Sequence, residues 1–256
     1  MEKILEVINL SKIYQSKENE ILAINDVNFS INKGEFVSII GPSGCGKSTL
    51  LSAIAGLIPK TKGKILIDNE EVFGITDKMG YMLQKDCLLE WRTILKNILF
   101  GLEIKGKIDN ESKLYAEELL KKYELYDFKN KYQSELSGGM RQRVALIRTL
   151  ATRPKILLLD EAFSALDYQT RIMVTNDIYE ILRKENITVL MVTHDISEAI
   201  SMSDKVIVLS KRPGTIKSIH KIKFDLEKRT PLNCRERPEF SKYFNILWKE
   251  LGVNEK

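Results

Sequence analysis

Residues 41–49, Gly41-Pro42-Ser43-Gly44-Cys45-Gly46-Lys47-Ser48-Thr49, carry the spacing G-x-x-x-x-G-K-[ST]. The chemistry of that spacing is a polyphosphate cradle. Glycines take positive φ and let the backbone wrap closely, so that successive N–H groups turn inward on phosphate oxygens. A following helix adds the positive end of its dipole. Lys47 supplies a point charge to β and γ phosphates, and the Ser48 hydroxyl suits Mg²⁺. The plainer alternative is a Gly-rich structural turn. Cys45 falls inside the loop, where a positive surrounding would lower a thiol pKa; the simpler account is a small residue filling a loop position.

A second cluster is Ile156-Leu157-Leu158-Leu159-Asp160-Glu161, an apolar strand ending in two acids. Neighbouring strand residues face opposite sides, which divides the work between them. Asp160 suits the Mg²⁺ shell, and Glu161 suits a water facing the γ-phosphate, as general base. Alone, such a pair is an ordinary solvated strand end; downstream of a phosphate loop it reads as catalytic. A third segment, Ser137-Gly138-Gly139, precedes a helix expected over 140–150. Its N–H groups, hydroxyl and positive helix end form a second anion site. The alternative is that Ser137 only caps that helix.

The elements that must position these groups follow from periodicity. Residues 5–10 and 27–31 alternate polar and apolar, as half-exposed antiparallel strands do. Residues 36–40 form a run buried on both faces, a central parallel strand leading into the phosphate loop. A helix is expected over 50–57, ended by Gly56. Residues 94–102 and 111–123 carry helical spacing, with Leu114, Leu119 and Leu120 on or near one face. They read as a helical insert at about 87–150. From Lys155 an α/β rhythm returns, with strands over 156–159, Thr188–Val192 and 206–209 and helices over 170–184 and Ile196–Met202. The tail from Asp225 is basic and ends in a helix containing Phe240, Phe244, Leu247 and Trp248, which packs on the body. The organisation expected is one domain over 1–224, with residues 225–256 as an arm and helix of the same unit.

The 256 residues include Lys+Arg 40 and Asp+Glu 35, a net charge of +5. That mild excess makes no case for nucleic acid or an anionic bilayer. Hydrophobic residues at 43% and charged residues at 29% belong to a globular chain, not a disordered one. Cys45, Cys87 and Cys234 are odd in number and unpaired in spacing, which favours a reducing compartment over a disulfide framework. The N-terminus lacks the apolar run of a signal peptide. Other apolar runs fall far short of the roughly 20 residues a membrane span needs, so any membrane role is expected to come through a partner. His194 and His220 are the two histidines, too few for a His-rich metal centre.

A phosphate loop and an acidic strand end occur in many nucleotide hydrolases and kinases. The segment Leu136-Ser137-Gly138-Gly139-Met140-Arg141-Gln142-Arg143 narrows the choice, because it matches the signature motif of ABC-type ATPases. The chain resembles an ABC transporter nucleotide-binding subunit, and further matches run in order along nearly its whole length. The resemblance implies an α/β fold: a P-loop NTPase core with an antiparallel β subdomain and a helical insert. It implies that Tyr14 stacks on adenine, that Gln84 is the switch glutamine reaching the Mg²⁺, and that Ser164-Ala165-Leu166-Asp167 is the D-loop. His194 matches the switch histidine that contacts the γ-phosphate. From the residues alone, Tyr14 is equally an exposed strand-end aromatic, Gln84 a polar strand end, and His194 a core histidine or helix cap. The resemblance also implies two copies packed head to tail, each ATP lying between one copy's cradle and the other's Ser137 segment.

Within the family, Leu88-Leu89-Glu90-Trp91-Arg92-Thr93-Ile94-Leu95-Lys96-Asn97-Ile98 and Lys211-Arg212-Pro213-Gly214-Thr215-Ile216 resemble segments of importer ATPases for nitrate, sulfonate and taurine. Thiamine-precursor and riboflavin-type importers use similar ATPases. Glu90 and Ala162 stand where that group carries Pro, neither at a catalytic position. The resemblance implies a homodimer on the cytoplasmic face of the membrane, driving a separate permease fed by an extracytoplasmic solute-binding protein. Residues 87–100 are expected to receive a coupling helix, with Leu88, Leu89 and Trp91 as a groove floor; the alternative there is core packing of the insert. About 30 residues after Asp225 leave no room for an added regulatory domain. An exporter subunit, a soluble ABC ATPase and a small-molecule kinase are the rival readings. The last leaves Ser137-Gly138-Gly139 without a role.

Overall fold

The computed structural model describes residues 2–15 and 19–252. Met1 and 253–256, the outermost residues of the expected unit, lie outside the described residues. Alternation builds the first two strands, β1 (Lys3–Gln15) and β2 (Glu20–Asn32), which pair antiparallel. Leu5 and Val7, and Val27, Phe29 and Ile31, turn inward as the period of two requires, and Leu10 joins them because the register shifts between Val7 and Leu10. Strand β3 (Phe36–Ile40) is buried along its whole length. Helix α1 (Lys47–Ile54) follows the phosphate loop directly. It thus starts three residues earlier than the expected 50–57, because the loop's last residues already take helical geometry. Gly56, at φ +73°, lies just beyond its end, and a Cβ there would sit 2.0 Å from Gly74 O.

Strands β4 (Lys62–Ile67) and β5 (Glu70–Glu71) complete an antiparallel sheet in the order β2-β1-β4-β5. Strand β6 (Met79–Met82) leads to three helices, α2 (Ile94–Ile104), α3 (Asn110–Lys122) and α4 (Gly138–Leu150). In α3, Ala116, Leu119 and Leu120 are buried, but Leu114 is 63% exposed and is not part of the expected apolar face. Leu119 and Leu120 carry the packing with Ala116, and Leu114 projects to one side of that stripe.

The remaining elements alternate: β7 (Ile156–Asp160), α5 (Tyr168–Lys184), β8 (Thr188–Val192), α6 (Ile196–Met202) and β9 (Lys205–Leu209). Strand β10 (Ile216–Lys221), helix α7 (Pro231–Arg235) and helix α8 (Pro238–Glu250) end the chain. The second sheet runs β10-β9-β3-β8-β7-β6, parallel except for its β9–β10 edge pair. One apolar core lies between this sheet and the helices α2–α5, and another between the two sheets around α1. A third holds α8 against α6 through Leu247, Ile196 and Ile200, with Phe240 and Phe244 packed on it. The C-terminal arm is tied down by charge as well. Arg229 and Arg183 donate to Asp204 Oδ1 at 3.0 and 2.6 Å, and His220 Nε2 lies 3.1 Å from Glu250.

Candidate functional site

The C-terminal ends of β3, β7 and β8 meet at one edge of the parallel sheet, where such sheets place ligands. There the chain leaves β3 through the phosphate loop. Gly44 takes φ +71° and Gly46 φ +106°, backbone geometry that side-chain-bearing residues rarely adopt. At Gly46 a Cβ would also lie 2.9 Å from Ala23 O, so close approach of β2 requires glycine as well. The loop opens on a cavity of about 650 Å³ lined by Ser43, Gly44, Gly46, Lys47, Ser48 and Thr49, and on its other walls by Tyr14, Glu161 and His194. Six of the nine loop residues thus line the cavity; Pro42 contributes a carbonyl to Lys47, and Gly41 and Cys45 shape the turn behind.

Lys47 folds back and donates to Gly41 O at 2.9 Å and Pro42 O at 3.1 Å. Its ammonium is therefore held over the loop by neutral carbonyls that a phosphate would outcompete. Cys45 is 1% exposed and joins the core between the sheets. Burial pushes its thiol above the ordinary range. The reactive-thiol alternative fails on this point, and the residue fills space behind the loop.

Ser48 Oγ donates to Asp160 Oδ1 at 3.2 Å, and Tyr81 on β6 donates to the other carboxylate oxygen at 2.9 Å. Glu161 points elsewhere: its Oε2 lies 3.2 Å from His194 Nδ1. The two acids do diverge, but not by strand alternation. Strand β7 ends at Asp160, and Glu161 takes φ +48°, the left-handed region. Its N–H is held by Val192 O at 2.9 Å. A residue fixed in that region carries backbone strain of order 1–3 kcal/mol, which the surrounding sheet must impose.

Gln84, just past β6, donates through Nε2 to Ser164 Oγ at 2.8 Å, and Ser164 donates to Glu161 O at 2.9 Å. A neighbouring hollow brings Gln84, Ser48, Asp160 and Glu161 together. The oxygens of Ser48, Asp160 and Gln84 are the hard donors that Mg²⁺ takes, so the set fits the ion. Tyr14 is 42% exposed at the cavity rim, with its hydroxyl 3.4 Å from Thr49 Oγ1.

Ser137, Gly138 and Gly139 lie outside this cavity. Ser137 caps α4 by accepting from Met140 N at 3.3 Å, and its side chain is exposed. Gly139 is buried, and a Cβ there would lie 2.9 Å from Val174, so close packing of α4 on α5 accounts for it.

Sequence reasoning did not place Arg212 and Ala23 at the cavity, yet both line it. The segment 211–216 bonds to β2 through Asn25 N to Gly214 O and Gly214 N to Ala23 O, both 3.0 Å. A Cβ on Gly214 would lie 2.3 Å from Cys45 O. This segment is thus a wall of the phosphate loop, and its one signal in sequence was the glycine after proline. Asn97 was likewise quoted only as part of a motif. It is fully buried and staples residues 89–93, accepting from Leu89 N at 2.7 Å and donating to the Leu89, Arg92 and Thr93 carbonyls. The stapled turn leaves Trp91 74% exposed but sinks Leu88 into the core at 6%. Leu88 is therefore no part of a groove floor.

A family profile described as "ABC transporter" matches residues 24–164. The chain is 46% identical over 252 residues to the uncharacterized ABC transporter ATP-binding protein YtlC of Bacillus subtilis, covering 98% of this chain and 97% of that one. It is 40% identical over 243 residues to the nitrate import ATP-binding protein NrtD of Synechocystis, covering 93% and 91%. Among solved structures, a dimeric post-hydrolysis state of an ATP-binding cassette bound to ADP and Pi superposes with a TM-score of 0.72 at 35% identity. That match covers 86% of this chain and all of the other. With the phosphate loop, the divergent acids and the capped signature helix on one α/β frame, this chain belongs to the ABC transporter family, as one of its ATP-binding cassette ATPases.

Proposed function

We propose that the protein is the motor subunit of an importer: two copies close head to tail on ATP, hydrolyse it, and drive a separate membrane permease. The observation that carries this reading is the division of groups between two places. Lys47, Glu161 and His194 share one cavity, while the exposed Ser137 cap points outside it. A second anion-binding surface with no cradle of its own is complementary to the cradle of another copy.

In this reading Lys47 leaves the loop carbonyls for the β and γ phosphates, and Tyr14 stacks on the base. Ser48, Asp160 and the free amide oxygen of Gln84 hold Mg²⁺, which when bound neutralises phosphate charge. Glu161 takes a proton from a water as its oxygen bonds to the γ-phosphorus. The bond to the bridging oxygen breaks, and ADP and phosphate leave. His194 holds Glu161 and meets the γ-phosphate. In trans, Ser137 and the N–H groups of Gly138 and Gly139 complete the phosphate shell.

Residues 1–224, with the helical insert at about 87–150, act with the arm 225–256 as one unit, which the Arg229–Asp204 bond supports. No helix among the described residues is long and apolar enough to cross a membrane. In this reading the unit docks peripherally on the cytoplasmic face, with exposed Trp91 in the region 87–100 toward the permease. The nitrate import name of NrtD supports a small nutrient as cargo, of nitrate, sulfonate, taurine or vitamin-precursor type, delivered by an extracytoplasmic binding protein. Glu161→Gln tests the reading. It should keep ATP binding, lower turnover at least about 10²-fold, and accumulate a closed dimer on size exclusion; parental turnover would remove Glu161 from the base role.

A further inference from the structure

Beneath the turn that carries His194 lies a buried carboxyl that the reaction itself does not use. Glu198, in the first turn of α6, is 4% exposed. Its Oε2 accepts from Thr193 Oγ1 at 2.8 Å, and its Oε1 is buried without a partner. Thr193 is itself 2% exposed, and its hydroxyl oxygen accepts from Asp195 N at 3.0 Å. One hydroxyl therefore spans the residues on either side of His194. A threonine hydroxyl rotates unless its proton is committed to an acceptor. Glu198 is that acceptor, which leaves the oxygen lone pair facing Asp195 N and closes the turn. Thr193 N donates to Ile39 O at 3.2 Å, so the base of the turn is fixed to the end of β3. His194, between two anchored neighbours, is then aimed at Glu161.

We infer that Glu198 is a positioning residue for His194, acting through the Thr193 hydroxyl to hold the imidazole against Glu161. The inference rests on the role proposed for His194 in hydrolysis. Burial of a carboxyl with one unpartnered oxygen disfavours its charged form and pushes Glu198 up to about 7. The charged groups around it are Asp195 and His194 on its own turn and Arg171 from α5. Toward β3 and α8, the α6 surface is apolar, with Ile196, Ala199 and Ile200. The buried residues of α7 are Pro231 and Cys234, the latter a thiol held neutral by burial. The Thr193 contact survives in both protonation states, because a carboxylate oxygen and the carbonyl oxygen of the neutral acid both accept the Thr193 hydroxyl proton. What changes on titration is the charge beneath His194.

The test uses the full chain. Thr193→Val should lower kcat about tenfold, the worth of one such hydrogen bond, at unchanged affinity for labelled ATP, and Thr193→Ser should restore it. The near-isosteric Glu198→Gln should flatten the pH dependence of kcat between about 6 and 8. With two histidines in the sequence, the His194 ring resonance is assigned by comparison with His220→Gln. It should shift in Thr193→Val, stay in place in Thr193→Ser, and lose an inflection near neutrality in Glu198→Gln. A His194 resonance that titrates identically in the parent and both Thr193→Val and Glu198→Gln would overturn the positioning role. His194→Ala separates the two ideas: full turnover there would sink the catalytic reading of His194, while the resonance would still decide whether Glu198 positions it.

Discussion

At the residue scale, single side chains in this protein are given their work by what they are denied. Glu161 is denied extended backbone and so turns away from Asp160, which frees one acid for His194 and the other for Ser48. Glu198 is denied water and a second hydrogen-bond donor, and this has a consequence for stability. With its carboxyl raised from 4.5 to about 7 in the folded state, folded and unfolded chains are both neutral at this group below about pH 4.5. As pH rises from there, the unfolded chain ionises first, and stability falls until the folded group ionises too, near 7. The stabilising contribution is thus present at low pH and gone above neutrality. Glu198→Gln should lack that decline. Thermal melts of the two proteins at pH 5 and 8 should diverge by an amount equivalent to a few kcal/mol, with the parent losing more on going to the higher pH. Equal shifts in both would place the carboxyl in contact with water.

At the element scale, loops that look irregular are held by one buried group each. Asn97 makes four bonds to the turn preceding α2, from inside the helix. Asn97→Ala would strand the Leu89 N–H and the Arg92 carbonyl, since Leu89 O and Thr93 O keep backbone donors, and should cost about 2–4 kcal/mol in urea unfolding. A loss below about 0.5 kcal/mol would mean that the turn is held by something else. The same turn carries Trp91 into solvent and roots Leu88 in the core, so the surface offered to a partner is narrower than the apolar letters of the segment imply. The segment 211–216 is a second case. Its Gly214 lies against the phosphate loop where no side chain fits, and it brings Arg212 to the cavity.

At the scale of the whole molecule, the cradle and the signature helix are both present in one chain, but the cavity gathers only the first. In the proposed function, closure between copies is where ATP binding becomes movement. Ser137→Arg should leave ATP affinity of the single copy and its thermal stability unchanged, since the side chain is exposed. It should abolish the ATP-driven dimer of an otherwise hydrolysis-deficient protein on size exclusion. A normal dimer from Ser137→Arg would show that the copies do not meet through this surface.

Much of the molecule was legible because the signals are local. The alternation in β1 and β2, the wholly apolar β3 and β8, and the loop spacing around Lys47 each depend on residues adjacent in the chain. The presence of α5 and α8, the C-terminal end of α5 and the packing of Leu247 followed from helical period in the same way. What the amino-acid order determined by itself was the family, the parallel frame and the phosphate-loop spacing from which the proposed reacting groups were read, because phosphate chemistry demands those residue types at fixed short spacings. What only the tertiary structure decided was direction: that Glu161 leaves the strand by a left-handed turn, that Cys45 faces inward, that Leu88 is core and Trp91 surface, and that Thr193 and Glu198 lock His194. Each of these depends on contacts between residues distant in sequence or on which side of a packed element a residue falls, and burial and backbone twist exist only once the sheet has formed.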